Sequence, residues 1–313
     1  MKRQAAFIDA KQHLKGALHV HTTRSDGAGT PEEVIQKHID NGYAFMALTD
    51  HHIYNYSNFG KPITMIPGIE LNTDMPGPGV RCHHIVCIGP EKANGNKIEQ
   101  DERIEGVRIE KPEETQALID RMHERGNLTM YCHPEWSGTP TRDYDMLRGN
   151  FAMEVCNTSS VSCDGLDADA PGWDELLADG QRIFGVADDD GHAMREHCKG
   201  WVMVNSENSV DAILDGLKSG AFYSSCGPEI YDFYIEDGVA HVKCSPVAEI
   251  GFRHLRAPYR VTRPAEGQTE ITEGAVKLRR SHGAQYIRAW VRDAQGRMAW
   301  TNPIFLDDGD FVD

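Results

Sequence analysis

The sequence predicts an α/β protein, a parallel sheet either open or closed into a barrel, followed by a small all-β module. Three observations carry this prediction. Segments of strand and helix character alternate from about residue 16 to about residue 220, the order that parallel β/α folds impose. After Gly220 helical periodicity disappears, and short strand-like runs separated by turns take over. Polar groups of metal-ligand type also recur just past apolar runs, and parallel folds gather their ligands at the carboxyl ends of their strands.

Residues 17–21 read as a short strand. Thr30-Pro31-Glu32-Glu33 then opens a helix with an N-cap threonine, a proline at the first helical position and a capping-box glutamate, and this helix ends near Gly42. Residues 43–49 are largely apolar, as a strand covered on both faces should be. Residues 63–66 and 82–88 are the next strand candidates, while residues 91–110 are polar without a period and predict an irregular insertion. Residues 112–125 carry Leu118, Ile119 and Met122 at helical spacing and stop at Gly126. Strands are expected at 128–132, 151–156 and 182–187, and helices at 173–178 and 210–218. Beyond Gly220, runs at 230–235, 239–244, 249–254, 276–279, 286–291 and 298–300 predict a β-sandwich-like module.

Composition narrows the function classes. The chain has 313 residues, enough for a large domain with a small companion. Its formal net charge of −16 repels phosphate backbones and argues against extended nucleic acid as a partner. Nowhere do eighteen apolar residues run together, and the first fifteen residues carry charges instead of a signal-peptide core. A membrane partner is therefore not expected, and a cytoplasmic location is. The eight cysteines are scattered, which reads as reduced, mostly buried thiols.

The chemistry is expected where donor groups follow strands. His19-Val20-His21 ends the first strand, and residues two apart on a strand face the same side, so both imidazoles can reach one ion. Asp26 lies in the next loop, Asp50-His51-His52 ends the second strand, and Glu70 follows residues 66–68. His84 lies in the fourth strand, His133 follows residues 130–132, and Asp190-Gly191-His192 follows residues 186–187. Such nitrogen and oxygen donors favour zinc, manganese or iron, and so many of them suit two or three divalent ions sharing a bridging carboxylate. His83 should face away from His84. Asp188 and Asp189 read equally as residues that orient imidazoles and as turn residues, and Trp136 and Trp173 read as packing residues.

These residues resemble the PHP (polymerase and histidinol phosphatase) superfamily. The match runs over about residues 14–226 and takes in, in order, His19-Val20-His21 with Asp26, Thr49-Asp50-His51, Pro67-Gly68-Ile69-Glu70, His84, Cys132-His133-Pro134 and Asp190-Gly191-His192. Glu154-Val155-Cys156-Asn157, Ala187-Asp188-Asp189-Asp190, residues 222–228 and residues 299–303 look like the branch named after a carbaryl hydrolase, which carries a β-rich C-terminal module. The resemblance implies a distorted seven-stranded β/α barrel over residues 1–228, with the all-β module at 229–313. It also implies three metal positions: His19, His21, Glu70 and Asp190; Glu70, His84 and His133; and Asp26, His51 and His192. Asp26 stands where some other members carry a histidine.

The implied reaction is attack by a metal-bound hydroxide on a small-molecule substrate, with catalytic roles for Glu70, Asp190 and His192. The first reading is a phosphoesterase acting on a small phosphomonoester or phosphodiester, with Arg24, Arg81, Arg195 and His197 as candidates to meet phosphate oxygens. The second is a hydrolase of carbamates, esters or amides; a basic pocket favours the first and an apolar, aromatic pocket the second. The third is a non-catalytic metal-binding module. Serine-hydrolase, Walker and dinucleotide motifs are absent. The C-terminal module is expected to cap the pocket, to mediate a homo-oligomer or to bind a polymer.

Overall fold

The computed structural model describes residues 3–5, 13–75, 82–254, 257–279, 283 and 285–311. The fold is mixed α/β, rich in strands and poor in helices. The expected helix forms at Pro31–Asp40: the Thr30 side chain accepts from the Glu33 amide, and the Glu33 carboxylate accepts from the Thr30 amide. Its apolar face, with Val34 and Ile35 fully buried, packs with Leu48 and Met65. Thr115–Glu124 forms as the Leu118, Ile119 and Met122 spacing requires, after one 3-10 turn at Pro112–Glu114. Val210–Ser219 is capped by Ser209 and ends at Gly220, which takes the left-handed conformation that ordinary side chains disfavour.

The strands of the first part fall into two sheets. One has six strands in the order Phe184–Asp188, Ala152–Asn157, Leu128–Cys132, Cys82–Ile88, Gly68–Asp74 and Val107–Arg108. In the other, His13–Ala17, Phe45–Ala47 and Thr64–Ile66 pair in parallel. Backbone bonds join the two at one end. The Thr49 amide donates to Val20 and the Glu70 amide to Thr49, and on the far side the Asp190 amide donates to His19. The segments bearing His19, Glu70 and Asp190 therefore run side by side.

Three expectations change. The sheet is not wholly parallel, because Cys82–Ile88 runs antiparallel to both Gly68–Asp74 and Leu128–Cys132. The first strand is His13–Ala17 and the residues after it are held by bridges, since Leu18 and Val20 give their amides to the Asp188 and Thr49 side chains. Residues 158–163 form a short helix that the sequence did not signal, started by the Asn157 side chain accepting from the Ser160 amide.

The strands beyond residue 229 fall into two facing sheets. One pairs Arg3–Gln4, Ile230–Glu236, Val239–Val247 and Ile271–Lys277. The other is an extension of the His13–Ala17 sheet, through Trp201–Asn205 and Phe222–Ser225 into Met298–Thr301, Tyr286–Arg292, Glu249–His254 and Ala257–Thr262. Hydrogen bonding thus runs unbroken across residue 228, with Tyr223 opposite Thr301 and Ser225 opposite Ala299. Between the sheets lie Phe233, Val242, Phe252, Ile287 and Val291, all fully buried or nearly so.

A buried ion pair fixes the module to the helix Ala170–Ala178. Arg288 donates from Nε and Nη2 to the two oxygens of Asp174 at 2.8 and 2.7 Å, with its guanidinium 4.5 Å from the Trp173 ring. Arg288 is 1 % exposed and Asp174 2 %. Removing one partner strands the other charge in the interior. Asp174→Ala is expected to destabilise the chain by about 3–5 kcal/mol in urea unfolding; a loss under about 1 kcal/mol, the surface-pair range, would contradict this account of the contact.

Candidate metal centre

The residues expected to bind metal converge. His19 and His21 follow the first strand, are fully buried, and place their Nε2 atoms 3.2 Å apart. Glu70 Oε2 lies 3.1 Å from each of those nitrogens, and Asp190 Oδ1 lies 3.3 Å from His19 Nε2 and 2.9 Å from His21 Nε2. A tetrahedral ion with bonds of about 2.0–2.1 Å spaces its ligands about 3.3 Å apart. Both Glu70 Oε2 and Asp190 Oδ1 are buried without an aligned hydrogen-bond donor. Four donor atoms at ligand spacing, two of them orphaned carboxylate oxygens, fit a divalent cation.

Two further groups share atoms with this one. Glu70 turns Oε1 toward His84 Nδ1 at 2.7 Å and His133 Nε2 at 3.4 Å, while Oε2 also faces His51 Nδ1 at 3.2 Å. Asp26 Oδ2 lies 3.4 Å from His192 Nε2 and 3.6 Å from His51 Nε2, and Asp26 Oδ1 lies 3.4 Å from His21 Nδ1. Glu70 therefore presents one oxygen to each side, as a bridging carboxylate must. Reversal of Cys82–Ile88 explains His84: it stands near the start of its strand, and the reversed direction brings that start to the same end as His133.

Neighbours fix the orientation of the cluster's side chains. Glu154 Oε1 lies 2.6 Å from His19 Nδ1, which turns the other ring nitrogen inward, and Glu154 Oε2 accepts from the His133 amide. His192 Nδ1 lies 2.9 Å from the Asp190 carbonyl, and Glu196 accepts from the His192 and Ala193 amides. Asp50 accepts from Thr22 and Ser25 and so shapes the loop that carries Asp26. His133 and Asp190 hold φ values of 26° and 48°, a region costing non-glycine residues about 1–3 kcal/mol.

Electrostatics point the same way. Burial alone would lower the pKa of His19 and His21, yet the carboxylates of Asp190 and Glu70 outweigh it and raise both well above the usual histidine range. For His84, burial is likewise outweighed by Glu70, and the ring is pushed up to about 10. Burial works against the charge on Glu70 and Asp190, but surrounding imidazoles hold both below the usual carboxylate range.

Other candidates lie elsewhere. His83 faces away, with Nδ1 2.8 Å from the Tyr131 hydroxyl, and half-buried His52 bonds the Ile104 carbonyl. Asp188 accepts from the Leu18 amide, and Asp189 from Thr158 and the amides of Lys199 and Gly200. Arg24 pairs with Asn55 and Asp101, and exposed Arg195 with Glu196. His197 is buried behind Gly191 and against His38. None of these three lines the cavity over the cluster, which has a volume of about 290 Å³; Arg81 lies outside the described residues. Trp173 is core, whereas Trp136 is 43 % exposed at the cavity wall, its ring 5.2 Å from His133. Sequence reasoning missed Glu154 and Glu196 as positioning residues; a carboxylate inside the apolar strand Ala152–Asn157 was the available signal for the first.

Residues 17–165 match the PHP domain. The matched span includes His19 through His133 and Glu154, while Asp190 and His192 lie beyond it. A 5'-3' exoribonuclease from Haemophilus influenzae is 24% identical over 154 residues, 47% of this chain and 53% of that protein. The 5'-3' exoribonuclease Rnm of Salmonella typhimurium is 32% identical over 77 residues, 22% of this chain and 26% of that protein. This chain spans about half, or less, of the length of these relatives. Among solved structures, a two-domain protein containing a predicted PHP-like metal-dependent phosphoesterase from Bacteroides vulgatus shares the fold, with a TM-score of 0.50 at 13% identity over 98% of this chain and 91% of that one.

Two outcomes follow for this cluster. Glu154→Gln should weaken metal binding about 10–100-fold while Glu70→Ala abolishes it, measured as bound metal after equilibrium dialysis. Metal ligation needs neutral imidazole, so protons held on His19, His21 and His84 must leave, and apparent affinity should rise with pH from about pH 6 and keep rising until His84 is neutral, near its value of about 10. Calorimetry in buffers of different ionisation enthalpy reads that proton release directly; a pH-independent affinity without release would contradict it.

Proposed function

We propose that this chain is a metal-dependent hydrolase of phosphoric esters, acting on a small phosphomonoester or on a phosphodiester end. The observation that carries the reading is the pair of orphaned oxygens, Glu70 Oε2 and Asp190 Oδ1, facing the nitrogens of His19 and His21. We infer two or three divalent ions of manganese, zinc or iron, held by His19, His21, Glu70 and Asp190, by Glu70, His84 and His133, and by Asp26, His51 and His192. We also infer that the bridges between the two sheets complete a distorted seven-stranded ring, with the functional division at about residue 228.

Bound there, such ions supply an activated water at neutral pH and offset negative charge on the transferring group. The chain's own residues do the rest. Glu70 and Asp190 keep the imidazoles oriented inward, and Glu154 holds His19 with its Nδ1 engaged. Asp26 and His192, 52 % and 37 % exposed on their side chains, stand at the mouth. Trp136 covers His84 and His133 and narrows access. The small cavity suits a terminal group in preference to the middle of a polymer, which accords with the negative chain charge. The similarity to exoribonucleases supports phosphoester chemistry and makes a nucleotide end a natural substrate class.

A second reading, a hydrolase of carbamates, esters or amides, is favoured by one observation. No lysine or arginine lines the cavity among the described residues, so no side-chain cation meets a phosphate there. The branch resemblance in the sequence motifs points the same way.

A matched panel of aryl phosphomonoesters, nucleotide phosphodiesters, carboxylic esters and carbamates, assayed with manganese- or zinc-loaded protein, separates the two. Phosphoester turnover is expected, falling at least about 10³-fold in Glu70→Ala, since that carboxylate serves both sides of the cluster. Turnover confined to esters or carbamates would replace the first reading by the second, and no turnover on any member would remove both.

A further inference from the structure

A second cavity, of about 570 Å³, lies on the other side of the short helix Thr158–Cys163. Its floor is formed where the first part meets the β module, by Trp201, Cys226, Met298 and Trp300, and its lining is mainly apolar. That volume and character are those of small-molecule sites, which favour such junctions.

Its charge sets it apart. The chain carries a net charge of −16 and the cavity over the cluster is lined by carboxylates, yet the second cavity is lined by Lys15, Lys199 and Arg297 and, among the described residues, by no aspartate or glutamate. Lys15 Nζ sits 4.0 Å from the Trp201 ring and 4.3 Å from the Tyr43 ring, and donates to the Asn41 carbonyl. Lys199 Nζ donates to Ser162 Oγ at 3.1 Å, while Arg297 is paired with Asp293 outside the lining. Two lysines therefore line an apolar space whose wall, among the described residues, holds no carboxylate.

One helix divides the two cavities. Thr158, Val161 and Ser162 line the second, and Ser159, Ser160 and Cys163 line the one over the cluster. The residue before it, Asn157, donates to Asp190 Oδ2 at 3.0 Å and Glu154 Oε2 at 3.3 Å.

We propose that this second cavity binds a small organic anion with a planar apolar body, the body against Trp201 and Trp300 and the anionic end toward Lys15 and Lys199. Occupancy presses on Val161 and Ser162 and, through the helix and Asn157, changes the setting of Asp190. Coupling of this kind alters affinity at the second site by about 5–150-fold. The site does not depend on which bond the cluster hydrolyses.

The test uses the full chain and the aryl sulfonate 8-anilinonaphthalene-1-sulfonate as probe. Titration should give saturable binding at one site per chain, with emission sensitised by tryptophan. Lys15→Met/Lys199→Met should weaken it at least tenfold, and Val161→Trp, which fills the cavity from the helix, should abolish it. If the double variant does not fold, Lys199→Met alone should still weaken binding several-fold. Saturating probe should also shift manganese affinity at the cluster in the unaltered chain. Absence of a saturable site, or probe affinity unchanged by both the lysine and Val161 substitutions, would overturn the site; unchanged manganese affinity would overturn the coupling.

Discussion

Burial of the Glu70 carboxylate constrains the rest of the structure. The residue is 1 % exposed, and a lone carboxylate in such surroundings carries a desolvation penalty of several kcal/mol. Its two oxygens are met by five imidazoles, from His19, His21 and His51 on one side and His84 and His133 on the other. Those rings come from four separate segments, so the charge is compensated only when the strands stand in the observed register. Val86 opposite Glu70 and Cys132 opposite His84 are the pairings that do this. The same demand accounts for the reversed strand, since a parallel Cys82–Ile88 would carry His84 to the far end.

Compensation spreads outward through polar contacts at the backbone. Asp50 ties the loop of residues 22–26, Asp188 holds Leu18, and Asp189 gathers the amides of residues 199 and 200. Each is an acidic residue within or beside the cluster's segments, but each is engaged by backbone amides and does not itself face the cluster. The β module continues this support. Its sheet is hydrogen-bonded to the strand Phe222–Ser225, and Arg288 locks onto Asp174 in the helix packed against Ala152–Asn157. The helix Thr158–Cys163 follows that strand directly and separates the two cavities.

Legibility in the sequence follows locality. Capping, helical spacing and the apolar runs before each donor are local, so the helix Pro31–Asp40, the strand Cys82–Ile88 and the residues His19, Glu70 and Asp190 could be placed from a few neighbours each. That His83 and His84 face opposite ways follows from the two-residue period of a strand; which of them meets Glu70 does not. Strand direction and the sheet running past residue 228 depend on pairings between distant segments, which no local pattern records. Glu154 shows the same limit: a carboxylate in an apolar strand is visible, but its partner His19 is 135 residues away. Arg24 and His197 stand outside the lining of the cavity for another reason. Nearness in sequence to a motif does not fix where a side chain points, and these turn to Asn55 and to the space behind Gly191.

The central claim is that Glu70 bridges metal ions within this cluster. Crystals grown with manganese and measured by anomalous diffraction test it most directly. The account predicts at least two ordered anomalous peaks flanking the Glu70 carboxylate, about 3.5–4 Å apart, one against His19, His21 and Asp190 and the other against His84 and His133. Peaks confined to surface carboxylates, with none beside Glu70, would contradict it.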